Sequence, residues 1–90
     1  MDMNKNFFMY VLLCDDGSLY TGFSTDVERR FQQHQAGLGA KYTRSHHPKT
    51  ILFKQPFLTQ HDALSAEYHF KHLTRKQKLA YLRMQGVRLP

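Results

Sequence analysis

Acid is scarce in this chain, and scarcest where the chain is longest. Of its seven aspartates and glutamates only Asp62 and Glu67 lie beyond Glu28, against twelve lysines and arginines, so residues 29–90 carry a formal charge of +10. Residues 1–28 carry −4, from Lys5 against Asp2, Asp15, Asp16, Asp26 and Glu28, and the whole is +6. That imbalance favours a polyanionic partner, nucleic acid being the commonest, over a basic surface that serves only solubility. Cysteine occurs once, at Cys14, which excludes an internal disulfide and any cysteine-rich zinc site. With no basic neighbour it reads as strand packing rather than as a reactive thiol.

Long apolar runs are also missing. None approaches the ~20 residues of a membrane span, and the N-terminus lacks the basic-then-apolar pattern of a secretory signal, so no membrane is expected and the cytoplasm is the default location. Six histidines keep a metal site formally open. Yet His46 and His47 are adjacent, which suits one ion poorly, and His69 and His72 fall on the helical face opposite Ala63, so the spacings of structural zinc are absent. At 90 residues and 41% hydrophobic there is enough for one core but not two, giving a single domain over 1–90. No repeat, linker or low-complexity tract interrupts it.

Residues 1–6 are polar and read as a frayed end. Phe7 to Cys14 is almost continuously apolar, as in a strand buried on both faces. Asp15-Asp16-Gly17 signals a hairpin, and Ser18 to Phe23 is its return strand. A two-residue loop would pair Leu13 with Tyr20 and put the strand tyrosines on opposite faces. A three-residue loop with Gly17 left-handed pairs Leu12 with Tyr20 and Tyr10 with Gly22. The three-residue loop is the reading adopted, with Tyr10, Leu12, Tyr20 and Gly22 on one side and open space beside Tyr10 where Gly22 has no side chain.

Thr25 and Glu28 form a T-x-x-E capping box that starts a helix at Asp26, running to Ala36 with Val27 and Phe31 as its apolar stripe and Gly37 as its stop. Residues 37–49, basic and with two glycines, read as a long loop of the kind that carries function. Thr50 to Gln55 is a third strand, closed by Pro56. Thr59 and Asp62 cap a helix from His61 to about Leu73. Thr74 and Gln77 box the start of another, Arg75 to Gln85, with Leu79 and Leu82 as core contacts. The order β-β-α-β-α-α predicts an α+β fold, a hairpin plus one later strand with helices over the faces.

Some polar residues sit oddly for scaffold. Arg30 and His34, four apart, share one helical face, with Arg30 directed inward or along the edge and Arg29 toward solvent. Glu67 lies within or beside the face marked by Ala63, Ala66, Phe70 and Leu73. A carboxylate buried there needs a partner: a metal ion, an arginine, or Lys71 one turn on. Taken singly, the tyrosines are ordinary core residues, Arg30 an ordinary surface arginine with its stem packed down, and His34 an ordinary cap residue. Together, two phenols, a guanidinium, an imidazole and a lone acid suggest a phosphate-handling site.

In that combination the chain resembles the GIY-YIG nuclease family. Met9-Tyr10-Val11 stands where the family has its Gly-Ile-Tyr element, and Tyr20-Thr21-Gly22 stands for Tyr-Ile-Gly. Arg30, His34 and Glu67 follow in order. Asp16 to Gly22 and Gly39-Ala40-Lys41-Tyr42-Thr43-Arg44 look like the family's small stand-alone bacterial branch, and the likeness covers about residues 7–80. The chain departs in having Met9 for the initial glycine and no asparagine after Asn6, where many members have a late one.

The resemblance implies a three-stranded antiparallel sheet with flanking helices and hydrolysis of phosphodiester bonds with one divalent ion, Mg²⁺ or Mn²⁺, held by Glu67 as sole protein ligand. Arg30 would hold phosphate oxygens, and Tyr20 or Tyr10 would orient or deprotonate the attacking water, its pKa lowered by Arg30 and the metal. His34 would relay a proton or bind the leaving-group side. Lys41, Tyr42, Arg44 and Lys71, with Arg75, Lys76 and Lys78, would contact DNA, Tyr42 either stacking on a base or anchoring its own loop. The expected activity is a DNA endonuclease guided by branched, flapped or single-stranded structure rather than by sequence, with repair or recombination as its setting. The rivals are a non-catalytic nucleic-acid-binding module and an interaction subunit docking an acidic protein.

Overall fold

A computed structural model describes residues 6–90; apart from exposed Asn6, the expected frayed end over residues 1–6 lies outside the described residues. The chain forms β1 (Phe7–Cys14), β2 (Leu19–Ser24), α1 (Val27–Gln35), α2 (Lys41–Ser45), β3 (Pro48–Phe57), α3 (Gln60–Lys71) and α4 (Arg75–Met84). The strands make one antiparallel sheet in the order β2-β1-β3. This is the expected α+β arrangement, β-β-α-β-α-α, with one short helix added.

β1 is the centre, and its unbroken apolar run is buried from Met9 to Cys14. Alternation still sorts its side chains into two cores. Met9 and Val11 pack with Phe70 of α3 and Leu82 of α4 on one face, while Tyr10 and Leu12 pack with Val27 of α1 on the other, joined by Tyr20 and Phe31. β3 is longer than the expected 50–55 and contains both Pro48 and Pro56. An edge strand permits this, because one of its sides carries no ladder and a missing N–H there costs nothing.

The hairpin takes the three-residue form. Gly17 has φ 85°, a left-handed turn conformation, Cys14 and Ser18 close the loop at 2.9 Å, and the register pairs Tyr10 with Gly22 and Leu12 with Tyr20.

Two helix starts differ from expectation. α1 begins at Val27, capped by Asp26 rather than by a Thr25–Glu28 box: Asp26 is extended (φ −144°, ψ 93°) and its carboxylate accepts from the Arg29 amide at 3.1 Å. A carboxylate at the cap also meets the positive end of the helix dipole, and Ser24 Oγ accepts from the Asp26 amide at 2.9 Å. Thr59 caps α3, which runs from Gln60 to Lys71 rather than from His61 to about Leu73. The Thr74–Gln77 box stands as expected; α4 ends at Met84, one residue short of the expected Gln85.

The larger correction is the segment 37–49, expected as loop. Lys41 to Ser45 is helical although Ala40 supplies no side-chain cap. Five residues are too few to be helical alone. Tertiary bonds hold them: Thr43 to His34 at 2.7 Å, His46 to Asp16 at 2.6 Å, and the Asp15 amide to the His47 carbonyl at 2.8 Å.

Candidate active site

The site forms where α1 and α2 close over the Tyr10–Tyr20 face of the sheet. β1 and β2 place the two tyrosine rings 6.4 Å apart, and α1 brings His34 to 6.0 Å from the first ring and 5.0 Å from the second. Tyr10 and His34 are wholly buried, whereas Tyr20 is half-buried. The Tyr10 hydroxyl lies 2.8 Å from His34 Nε2, and His34 Nδ1 lies 2.7 Å from Thr43 Oγ1. His34 is therefore an internal partner of Tyr10, with both ring nitrogens engaged.

The space expected beside Tyr10 is filled by Tyr10 itself. Its ring lies across Gly22, where an added Cβ would stand 2.5 Å from the hydroxyl oxygen. Gly39 does the same for His34: a Cβ there would collide with the imidazole. Each glycine lets backbone pass directly over a ring of the site.

At Tyr10 the surroundings favour the neutral phenol, even with Arg30 nearby. Burial pushes its phenol well above the ordinary range, Tyr20 adds to the rise, and the nearby Arg30 guanidinium only partly opposes them. Desolvating a phenolate costs more here than one neighbouring cation returns. Burial, then Arg30, hold His34 down at about 4, so its imidazole is neutral at neutral pH. Arg30 Nη1 also donates to Gln33 Oε1 at 3.0 Å, which fixes the guanidinium along the helix edge with further N–H groups free of that bond.

Glu67 comes from the other layer. Its neighbours Ala66 and Phe70 face the Met9–Val11 core, and α3 also contacts β2. Its charge reaches the Tyr10 phenol, contributing to the upward shift. The Glu67 side chain is 16% exposed and Oε2 pairs with Lys71 Nζ at 2.9 Å, the ion pair weighed from the sequence as its alternative to a metal. Among the described residues no group of three or more His, Cys, Asp and Glu gathers as for a metal ion. A single hard carboxylate suits Mg²⁺ or Mn²⁺, which keep much of their water, and does not suit zinc.

Lys41 and Arg44 are exposed on α2. Tyr42, 38% exposed, stacks on His46 at 4.1 Å and on Tyr20 at 5.9 Å, so it both anchors its segment and extends the aromatic surface of the site outward. The basic residues of α4 lie elsewhere: Leu82 packs that helix on the Met9–Val11 face, and Arg75 donates to the Gly17 carbonyl at 3.0 Å. Burying Leu82 puts Arg75, Lys76 and Lys78 behind the sheet, away from Tyr10 and Tyr20. Sequence reasoning missed Thr43 and Gly39 as site residues. Their signal was the stretch Gly39-Ala40-Lys41-Tyr42-Thr43-Arg44, which carries part of the family likeness but gives neither residue a role without the fold.

A basic α+β domain with tyrosines in a hairpin, an arginine and a histidine on the following helix and a glutamate on a later one has the order of a nuclease-type architecture. The chain matches the family described as the GIY-YIG catalytic domain over residues 6–80, and belongs to it. Its relatives carry the name UPF0213 protein: one from Limosilactobacillus reuteri is 49% identical over 88 residues, covering 96% of this chain and 92% of that protein. One from Lacticaseibacillus paracasei is 54% identical over 78 residues, covering 87% and 88%. Two solution NMR structures share the fold. A UPF0213 protein from Bacillus halodurans has TM-score 0.60 at 41% identity, covering 89% of this chain and 85% of that one. A protein from E. faecalis has TM-score 0.63 at 42% identity, covering 100% and 96%. Among the described residues no helix is long and apolar enough to cross a membrane.

Proposed function

We propose that this protein is a metal-dependent endonuclease that hydrolyses DNA phosphodiester bonds, directed by DNA structure rather than by sequence. The observation that carries the reading is the convergence on Tyr10: His34 bonded to it, Tyr20 beside it, Arg30 and Glu67 both acting on its phenol. Glu67 would hold one Mg²⁺ or Mn²⁺, which when bound supplies Lewis-acid charge at the scissile phosphate.

The chain's own residues do the rest. Arg30, with five N–H donors and one of them committed to Gln33, presents the others to non-bridging phosphate oxygens as negative charge builds in the transition state. Tyr20, the more exposed of the two tyrosines, accepts a hydrogen bond from the attacking water and aims it. Tyr10, buried and raised, is not the base; it holds Arg30 and Tyr20 in place. His34 acts through Tyr10 rather than on the substrate. Lys41 and Arg44 on α2 bind the DNA backbone, while Tyr42 and His46 offer aromatic surface to an unstacked base. A setting in DNA repair or recombination follows from preference for irregular DNA.

One observation favours a second reading, a nucleic-acid-binding module that keeps the fold without cutting: Glu67 is already paired with Lys71. Cleavage of branched, flapped and single-stranded DNA with Mg²⁺ or Mn²⁺ separates the two. Cutting that disappears in Glu67→Ala, with folding and DNA binding kept, supports the nuclease. Salt-sensitive binding without cutting supports the module, and no binding at low salt overturns both in favour of a protein partner.

A further inference from the structure

We infer that Thr43 is a positioning residue of the site, fixing the tautomer of His34 so that the Tyr10 proton points inward and the lone pairs of the Tyr10 oxygen face the positive charge of Arg30. The hydrogens available to these groups decide the tautomer. Thr43 Oγ1 lies 2.9 Å from the Ala40 carbonyl oxygen and 2.7 Å from His34 Nδ1. A hydroxyl has one hydrogen, and a carbonyl oxygen can only accept. The Thr43 hydrogen therefore goes to Ala40, and the contact with Nδ1 requires a hydrogen on Nδ1. A neutral imidazole carries one N–H, so Nε2 is bare and accepts from the Tyr10 hydroxyl at 2.8 Å.

The bonds then run in one direction: Tyr10 to His34, His34 to Thr43, Thr43 to the Ala40 carbonyl. No buried side-chain polar atom among the described residues lacks a partner. The competing tautomer has one supporter, the Ala40 amide, which points at Nδ1 from 3.4 Å, a long contact. Take the Thr43 hydroxyl away and that amide is the only group left facing Nδ1. The hydrogen moves to Nε2, His34 becomes the donor to Tyr10, and the Tyr10 hydrogen must turn outward against the Arg30 guanidinium. A hydroxyl hydrogen would then face a cation, and the favourable approach of Arg30 to the phenol oxygen would be lost. α2, unread in the sequence, thus connects the Lys41–Arg44 surface to the site through Thr43.

The effect on turnover rests on the nuclease reading; the tautomer does not, and the two are measured separately. Long-range ¹H–¹⁵N correlation spectra at neutral pH should show His34 protonated at Nδ1 in the wild type and in Thr43→Ser, and at Nε2 in Thr43→Val. In cleavage assays Thr43→Val should lose kcat roughly ten- to a hundredfold, the range for removal of an orienting partner at other sites, with KM for DNA unchanged and Thr43→Ser restoring the rate. A wild-type His34 protonated at Nε2 overturns the proposal, as does a Thr43→Val protein whose tautomer is unmoved. Should Thr43→Val not fold, the wild-type and Thr43→Ser spectra decide alone. If no variant cuts DNA and the tautomer still switches, the nuclease reading fails while the assignment to Thr43 stands.

Discussion

The Tyr10 hydroxyl lies 2.8 Å from His34 Nε2 across the gap between β1 and α1, and both side chains are sealed from solvent. Tyr10→Phe leaves a buried nitrogen without its partner. The expected cost is about 1–3 kcal/mol, the desolvation penalty of an orphaned polar group. Tyr20→Phe, at a half-buried ring, should change stability by less than about 1 kcal/mol while losing turnover. Urea unfolding and cleavage rates on both variants check the division; equal destabilisation would place Tyr20 in the same buried network.

His34 also sets a pH dependence. Its folded value of about 4 lies below the ordinary 6.5, so between those values the unfolded chain binds the extra proton. Stability should be flat above pH 6.5 and fall as pH drops from 6.5 toward 4, by about 3 kcal/mol at most. The depressed carboxylates Asp16 and Glu28 are held by Ser18 and His46 and by Lys54, and their stabilisation is lost in a more acid range. Urea titrations at pH 4.5 and 7 on the wild type and His34→Gln read the effect, and the variant should lose the slope above pH 4.5.

Gly22 faces a ring rather than a void. Gly22→Ala puts a methyl 2.5 Å from the Tyr10 oxygen, and backbone and ring must part. A loss of about 1–3 kcal/mol, the cost of overpacking a tight site, and a drop in cleavage should come together. Wild-type melting and activity in Gly22→Ala would mean the ring has another position open to it.

DNA binding should divide by sheet face. Lys41→Ala and Arg44→Ala should each reduce the slope of log K against log salt by about 1, the signature of one lost phosphate contact. Arg75→Ala and Lys76→Ala, behind the sheet, should leave that slope unchanged. Fluorescence anisotropy across a salt series measures both.

Much of this molecule is written locally. The apolar run of β1, the Asp-Asp-Gly turn that puts two tyrosines on one face, the caps Thr59 and Thr74, and the order of elements all follow from patterns a few residues long, because backbone geometry and hydrogen bonding act at that range. Hairpin register pairs the two tyrosines on one face and helical spacing stacks Arg30 on His34, while the roles given to these residues and to Glu67 came from the likeness to a family. Tertiary structure decided the rest. α2 has no side-chain N-cap and is helical because His34, Asp16 and Asp15 hold it; Tyr10 titrates high because desolvation, a property of the packed core, outweighs Arg30; and Arg75, Lys76 and Lys78 lie behind the sheet because α4 buries Leu82 against that face. The direction of the proton between Tyr10 and His34 is set by Thr43, nine residues from His34 in sequence and 2.7 Å away in space, a contact that exists only once the chain has folded back on itself.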